Sequence, residues 1–364
     1  MPRLRRCDPS IPGITRRRRG HGWSYAGPNG DPVTDRQVLD RIEKLVLPPA
    51  WTDVWISPWP NGHIQAVGTD AAGRRQYRYH DEWRARRDAE KFDRVLDVAE
   101  RLPAIRERIG VDLRRPGMPA RRVLACAARL LDIGFFRIGG EEYAEQNQSY
   151  GLATIRRDHA TVDGDVVTFD YVAKSGKQRV QAIADPEVVE VVRALLARQD
   201  DPNPELLAYT DADGRWVDVR SRDVNAYLRE IAGGAEVTAK DFRTWSATVL
   251  AAVALAVSEP VATSPTARKR AITRMYKEVS DYLGNTPAVC KSSYVHPKIV
   301  DLFQGGQTIA EDLEAIGEGA AFGRLSTQGA VEAAMLDLLR NPRAARKAAR
   351  VAARTAARTA RRAG

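Results

Sequence analysis

An arginine, a lysine, a second arginine, an amide and a phenol follow one another along this 364-residue chain, each beside features that could hold it still. Arg137 stands in Phe135-Phe136-Arg137-Ile138-Gly139, between bulky apolar residues and next to a glycine. An arginine so placed needs a partner, because burying its charge alone is costly; taken by itself, a structural carboxylate would serve. Lys174 and Lys177 flank Ser175-Gly176 in a tight turn that alone reads as a solvated loop, or at most a weak phosphate nest. Lys240-Asp241-Phe242-Arg243-Thr244-Trp245 opens a helix with two basic residues, suited to a phosphate or to an ordinary surface ion pair. Asn285 lies nine residues before Tyr294, where a lone tyrosine would ordinarily be core. Taken together, these types suit transesterification at a phosphodiester. A phenol is a weak nucleophile until cations favour its phenolate. Arginines offer forked, permanently charged donors to non-bridging oxygens. An amide adds a neutral donor, and a lysine on a flexible turn can protonate a leaving oxygen.

The set, in this order, resembles the poxvirus-like and bacterial type IB DNA topoisomerases, and more distantly the tyrosine recombinases. The likeness covers roughly residues 20–310. Its most specific parts are Lys240-Asp-Phe-Arg-Thr244 and Thr286-Pro-Ala-Val-Cys-Lys-Ser-Ser-Tyr294. The resemblance implies a catalytic set of Arg137, Lys174, Arg243, Asn285 and the nucleophile Tyr294. It implies nicking and resealing of duplex DNA through a 3′-phosphotyrosyl link, with no ATP, metal or other cofactor and no small-molecule substrate. Poxvirus enzymes and recombinases carry histidine where Asn285 stands, whereas asparagine resembles some bacterial members. Asparagine can donate a hydrogen bond but cannot act as an acid near neutral pH, so Asn285 is expected to be a donor only. The family's Gln-Tyr-x-Tyr segment touches DNA; here it is Gln76-Tyr77-Arg78-Tyr79. Period two sends Tyr77 and Tyr79 to one face and Gln76 and Arg78 to the other, which would suit either the major groove or an ordinary half-buried strand. Tyr143 matches another DNA-contacting position, and Lys240 is expected at a phosphate. Trp51, Trp55 and Trp59 read as core or domain packing.

Composition narrows the alternatives. The net charge is +10, but residues 1–19 carry +6 and Arg343 to Arg362 eight basic residues and no acid, so residues 20–340 are net acidic. Basic ends of this kind bind polyanions by counterion release, strongly and without sequence preference. Five arginines spaced four apart, from Arg346 to Arg362, would share one slowly drifting helical face once neutralised. Cys7, Cys126 and Cys290 and the five histidines show no metal-ligand or disulfide spacing, which argues against a metal site and fits a reducing compartment. The longest apolar run, Val249 to Val257, falls short of the ~20 residues of a membrane span. The first residues have no signal-peptide core, so no membrane association is expected. A cytoplasmic, nucleoid-associated monomer follows as the expectation, and heavy Ala and Arg usage suits a GC-rich bacterial genome.

Positioning such a set asks for a rigid scaffold. The expected fold class is α+β: a small mainly β N-terminal domain and a larger, mostly helical catalytic domain with a three-stranded sheet, together a clamp around duplex DNA. Boundaries are placed at 1–19 for a flexible basic arm, 20–90 for the β domain and 91–310 for the catalytic domain. Helices follow over 311–340 and a basic Arg/Ala-rich tail over 341–364. An exposed, charged linker is expected near 80–92. Strands are read at Trp23–Tyr25, Val54–Ile56, Ile64–Val67 and Gln76–Tyr79, and a hairpin with a primed turn around Asp163-Gly164. Helices are read at Asp35–Leu45, Arg122–Ile133, Pro186–Arg198, Ser221–Ile231, from a Thr238 capping box, and at Pro265–Leu283. Thr286-Pro287 starts a short helix bearing Tyr294. Three rivals remain at this stage, one of them a DNA end-processing or repair nuclease, which would normally show metal-binding carboxylates. A tyrosine recombinase would typically have His-x-x-Arg where Lys240-x-x-Arg243 stands. A non-enzymatic packaging protein, which the tail alone would suggest, would have no use for Lys174, Asn285 and Tyr294.

Overall fold

A computed structural model describes residues 3–199, 201–318 and 328–341; the basic tail lies outside the described residues beyond Asn341. The chain divides into two compact units, Met1–Asp93 and Arg94–Gly364. The first holds β1 (Ile14–Arg19), β2 (Gly22–Ala26), α1 (Arg36–Lys44), β3 (Thr52–Ile56), β4 (Ile64–Thr69) and β5 (Arg75–Tyr79). The strands form an antiparallel sheet in the order β2-β1-β3-β4-β5. Alternation gives it two apolar faces. Val54 and Ile56 pack with Ile14, Ile42 of α1, Ala66 and Trp51. Trp55, one residue out of phase, packs with Cys7, Ile64, Val67 and Trp59 on the other. The three tryptophans are therefore packing residues.

Residues 1–19 are not a flexible arm over their described part. Charge alone suggested one, yet Cys7 and Ile14 are buried and the segment before β1 is laced to the sheet. Arg5 N–H donates to the Asn61 carbonyl (2.9 Å), Cys7 N–H to His63 Nδ1 (3.0 Å), and Trp55 Nε1 to the Ile11 carbonyl (2.9 Å). Arg16 is itself a brace, donating to the carbonyls of Pro48 and Trp51 and lying over the Trp23 ring.

The charged segment expected as a linker near 80–92 is helical and adjoins the boundary between the two units, at Asp93. α2 (Asp81–Leu113) begins in the first unit, ends in the second and passes through Pro103. Its first turns, residues 81–91, are charged and mostly exposed, as the sequence suggested, and the apolar stripe at helical spacing begins only beyond them: Val95, Leu96, Ala99, Leu102, Ile105 and Ile109 are all buried.

The second unit continues with α3 (Ala120–Gly134) and α4 (Glu141–Asn147). A sheet follows: β6 (Ala160–Asp163), β7 (Val166–Ala173) and β8 (Lys177–Ile183), antiparallel in that order. Gly164 takes a φ of +53° in the two-residue β6–β7 turn, as a primed turn requires. Next come α5 (Pro186–Leu196), the small hairpin β9 (Ala208–Thr210) and β10 (Trp216–Asp218), α6 (Ser221–Ile231) and α7 (Ala239–Ser258). The unit closes with α8 (Pro265–Leu283), α9 (Pro287–Ser293), α10 (Pro297–Gln304), α11 (Ala310–Glu318) and α12 (Ala330–Arg340). One continuous core contains α3, the inward faces of the sheet and most of α7. The stretch Ala239–Val261, wider than the apolar run read from sequence, is long and apolar enough to cross a membrane; half of its most apolar 18 residues are buried inside the protein.

Candidate active site

Arg137, Arg243, Asn285 and Tyr294 are brought together around the C-terminal end of α8, and local rules account for each placement. α3 stops at Phe135, a non-glycine residue in the left-handed region (φ +54°), a conformation that costs free energy unless neighbours enforce it. Phe136 enforces it: fully buried, its ring lies edge-on to Phe169 and stacks on Tyr171. The chain then leaves the core with Arg137 and turns at Gly139 (φ +82°), where the backbones of Gly139 and Gly151 approach too closely for a side chain. α8 ends at Gly284 (φ +61°), with Gly284 N–H bonded to Asp281 O (3.1 Å) and Asn285 N–H to Ser280 O (2.9 Å). That pair of bonds is a Schellman closure, and it sets Asn285 one residue past the glycine.

Four consecutive carbonyls at this helix end receive arginines. Arg179 donates to those of Asp281 (3.4 Å) and Tyr282 (3.0 Å), Arg243 to Leu283 (2.8 Å), and Arg137 to Gly284 (2.9 Å). Arg137 also donates to Asn285 Oδ1, and Arg243 to the Phe135 carbonyl. The structural carboxylate expected for Arg137 is replaced by main-chain acceptors at the negative end of a helix dipole. Neutral acceptors leave both guanidinium charges uncompensated. Burial pushes the Arg243 guanidinium down to about 10, still charged at neutral pH. Two buried donors here, Arg243 Nε and Asn285 Nδ2, have no hydrogen-bond partner among the described residues. Buried donors are rarely left so, and an anion with several acceptor oxygens is what they suit.

Tyr294 caps the C-terminal end of α9, one residue beyond the helix expected to carry it. Thr286 caps the start, its side chain accepting from Val289 N–H, with Pro287 at the first position. Thr248, fully buried on α7, shares its hydroxyl proton between the Thr244 carbonyl one turn back (2.8 Å) and the Tyr294 carbonyl (3.3 Å), and accepts from His296 N–H (3.1 Å). One helix thus supplies both Arg243, whose guanidinium carbon is 5.4 Å from the Tyr294 ring centre, and the anchor of the tyrosine backbone. Burial raises the Tyr294 phenol, but the charges of Arg243, Arg137 and Lys240 outweigh it and hold it below the ordinary tyrosine value.

Lys174 lies on the exposed β7–β8 turn, where Ser175 has φ +67°. Its ammonium sits 5.7 Å from the Tyr143 ring centre, and Lys177 Nζ reaches the Asn285 carbonyl at 3.5 Å. Lys240 is exposed in the first turn of α7. In the first unit, Tyr77 and Tyr79 stack with centroids 6.0 Å apart on one face of β5, which is an edge strand of the sheet. Gln76 is held by Asp70 (2.9 Å) and Arg78 by Asp81 (2.8 Å). Among the described residues, no group of three His, Cys, Asp or Glu side chains is placed to hold a metal. Sequence reading did not reach Thr248 or Arg179. The signal for Arg179 was a basic residue in the middle of a strand; for Thr248 there was none.

Comparison with known proteins bears on this geometry. Residues 80–315 match the family described as eukaryotic DNA topoisomerase I, catalytic core, and residues 22–70 the bacterial DNA topoisomerase IB N-terminal domain. The chain belongs to the type IB DNA topoisomerase family. It is 34% identical to DNA topoisomerase 1B of Acanthamoeba polyphaga mimivirus over 298 residues, 80% of this chain and 88% of that one. It is 21% identical over 280 residues to DNA topoisomerase 1B of Vaccinia virus (strain Copenhagen), covering 75% and 84% respectively. Members are enzymes that act on DNA, which accounts for a site built of uncompensated cations. The match over residues 80–315 contains Arg137, Lys174, Arg243, Asn285 and Tyr294.

Proposed function

We propose that this chain relaxes supercoiled duplex DNA by reversible single-strand cleavage with Tyr294 as nucleophile. The observation that carries the reading is the gathering of Arg137, Arg243 and Asn285 around Tyr294, with two buried donors free to meet a phosphate. In the forward step the Tyr294 phenol yields its proton to water and Oη attacks the phosphorus. The P–O5′ bond breaks, and its electron pair leaves on the 5′ oxygen, which takes a proton from the Lys174 ammonium. Arg137, Arg243 and Asn285 Nδ2 hold the non-bridging oxygens as negative charge builds. Resealing is the reverse: the 5′ hydroxyl attacks, neutral Lys174 takes back its proton, and Tyr294 leaves as phenolate. The phosphotyrosyl bond conserves the energy of the bond broken, so the cycle requires no ATP. The cationic donors supply the charge stabilisation that metal ions give two-metal nucleases.

Duplex DNA is held as by a clamp, the β5 tyrosines and Tyr143 reading the groove and Lys240 a phosphate. Strand rotation about the intact strand releases supercoils of either sign. The protein acts as a monomer in the nucleoid-containing cytoplasm, and its basic tail adds sequence-blind affinity. The direct test is denaturant trapping of the covalent adduct on nicked DNA, followed by peptide mapping. The phosphate should map to Tyr294 and to the 3′ end of the broken strand; an adduct on another residue would overturn the assignment.

A further inference from the structure

The β7–β8 hairpin that carries Lys174 is tied to its surroundings on two sides. Near the α3 end, Gln181 Nε2 donates to the Gly134 carbonyl, and Tyr150 N–H donates to Val172 O (2.8 Å). On the α8 side stands Arg179, opposite Tyr171 in the β7–β8 register and five residues from Lys174. Arg179 is half-buried and has no ion-pair partner among the described residues. Its terminal nitrogens donate to the carbonyls of Asp281 and Tyr282, one turn before Asn285, and the guanidinium also meets the Tyr171 hydroxyl across the hairpin. A strand residue that needed only to fill space would not place a guanidinium here, where burial disfavours the charge. The helix end repays it, because its carbonyls favour a cation. The result is a strut between two parts of the site, the turn bearing Lys174 and the segment bearing Asn285, with Lys177 bridging the same two elements nearer the tip.

We infer that Arg179 is a positioning residue, docking the Lys174 hairpin on the C-terminal end of α8 so that the lysine reaches the leaving 5′ oxygen. The inference rests on the role given above to Lys174, and the experiment separates the two. Single-turnover cleavage is measured at one mapped site, on normal DNA and on DNA with sulfur in place of the bridging 5′ oxygen. With sulfur, the P–S bond breaks and a thiolate leaves without needing a proton, since thiols are far more acidic than alcohols. Lys174→Ala is expected to lose about 10²–10⁴-fold on oxygen and to recover on sulfur. Arg179→Ala should lose about 10²-fold on oxygen, the effect of roughly an ångström of misplacement, and also recover on sulfur, with Arg179→Lys in between. Should Arg179→Ala destabilise the fold, Arg179→Gln, which keeps a donor, carries the same comparison. Equal loss on both substrates, or no loss, overturns the inference while leaving Lys174 as the acid. Failure of sulfur to rescue Lys174→Ala overturns the reading on which it rests.

Discussion

The Tyr294 phenol is under opposing influences, burial that favours the neutral form and three cations that favour the phenolate, and the cations win. Arg243 contributes most of that preference. Cleavage by the wild-type protein should therefore rise with pH and level off below pH 10, the ordinary tyrosine value. Removing the charge in Arg243→Gln should move this limb to higher pH, and lower the plateau by about 10²-fold through loss of phosphate donors. Single-turnover rates across pH measure both effects, and an unmoved limb would show that Arg243 does not govern the nucleophile. Asn285 fits the same logic as a donor: its oxygen is occupied by Arg137, and its buried Nδ2 has no partner among the described residues. An acid there would have to be a different side chain.

At the scale of elements, the site depends on backbone closures more than on side-chain packing. The Arg137 segment is held by Gly139 and Gly151, where a Cβ on Gly151 would lie 2.5 Å from the Gly139 Cα and 2.8 Å from the Arg137 carbonyl. Gly151→Ala should destabilise the protein by about 1–3 kcal/mol and slow cleavage by moving Arg137. Paired thermal melts and cleavage assays would show it, and a variant with both unchanged would contradict this reason for the turn. Much of this scaffold was legible. The Thr238 capping box, the Pro265–Leu283 helix and the Thr286-Pro287 start each have local signals of one or two residues, and the structure carries them at those residues. The β7–β8 turn was legible from Ser175-Gly176. What was hidden depends on distant residues. Thr248 matters because Tyr294 and His296 come to it from 46 and 48 residues away. Arg137's partners, the Gly284 carbonyl and Asn285 Oδ1, are 147 and 148 residues away, and no local pattern announces them. The tied-down arm was not legible, because its charge density outweighed sparse buried residues such as Cys7 and Ile14.

For the whole molecule, charge and burial predict different roles for the C-terminal segments on either side of residue 341. α12 lies beyond the matched catalytic region, yet Val331, Met335 and Leu339 are buried in the core. Glu332 completes a network with Arg106, Asp132 and Trp245 Nε1. Its removal would leave the Arg106–Asp132 pair and the indole N–H short of a partner. Truncation after residue 327 is accordingly expected to lower the melting temperature sharply. Truncation after residue 341 should act instead on DNA affinity. It should make the slope of log K against log salt shallower, by about 0.9 for each phosphate that the tail no longer neutralises. Melting curves and binding titrations at several salt concentrations distinguish the two; a salt slope unchanged by removal of the tail alone would exclude it from the DNA interface.

The most direct test of the central claim is relaxation of supercoiled plasmid in EDTA without nucleotide, comparing the wild-type protein with Tyr294→Phe. Wild type is expected to give a ladder of relaxed topoisomers, and the variant none, although it still retards DNA on a gel. Relaxation by the Phe variant, or a wild-type protein that binds DNA yet leaves it supercoiled, would contradict the claim.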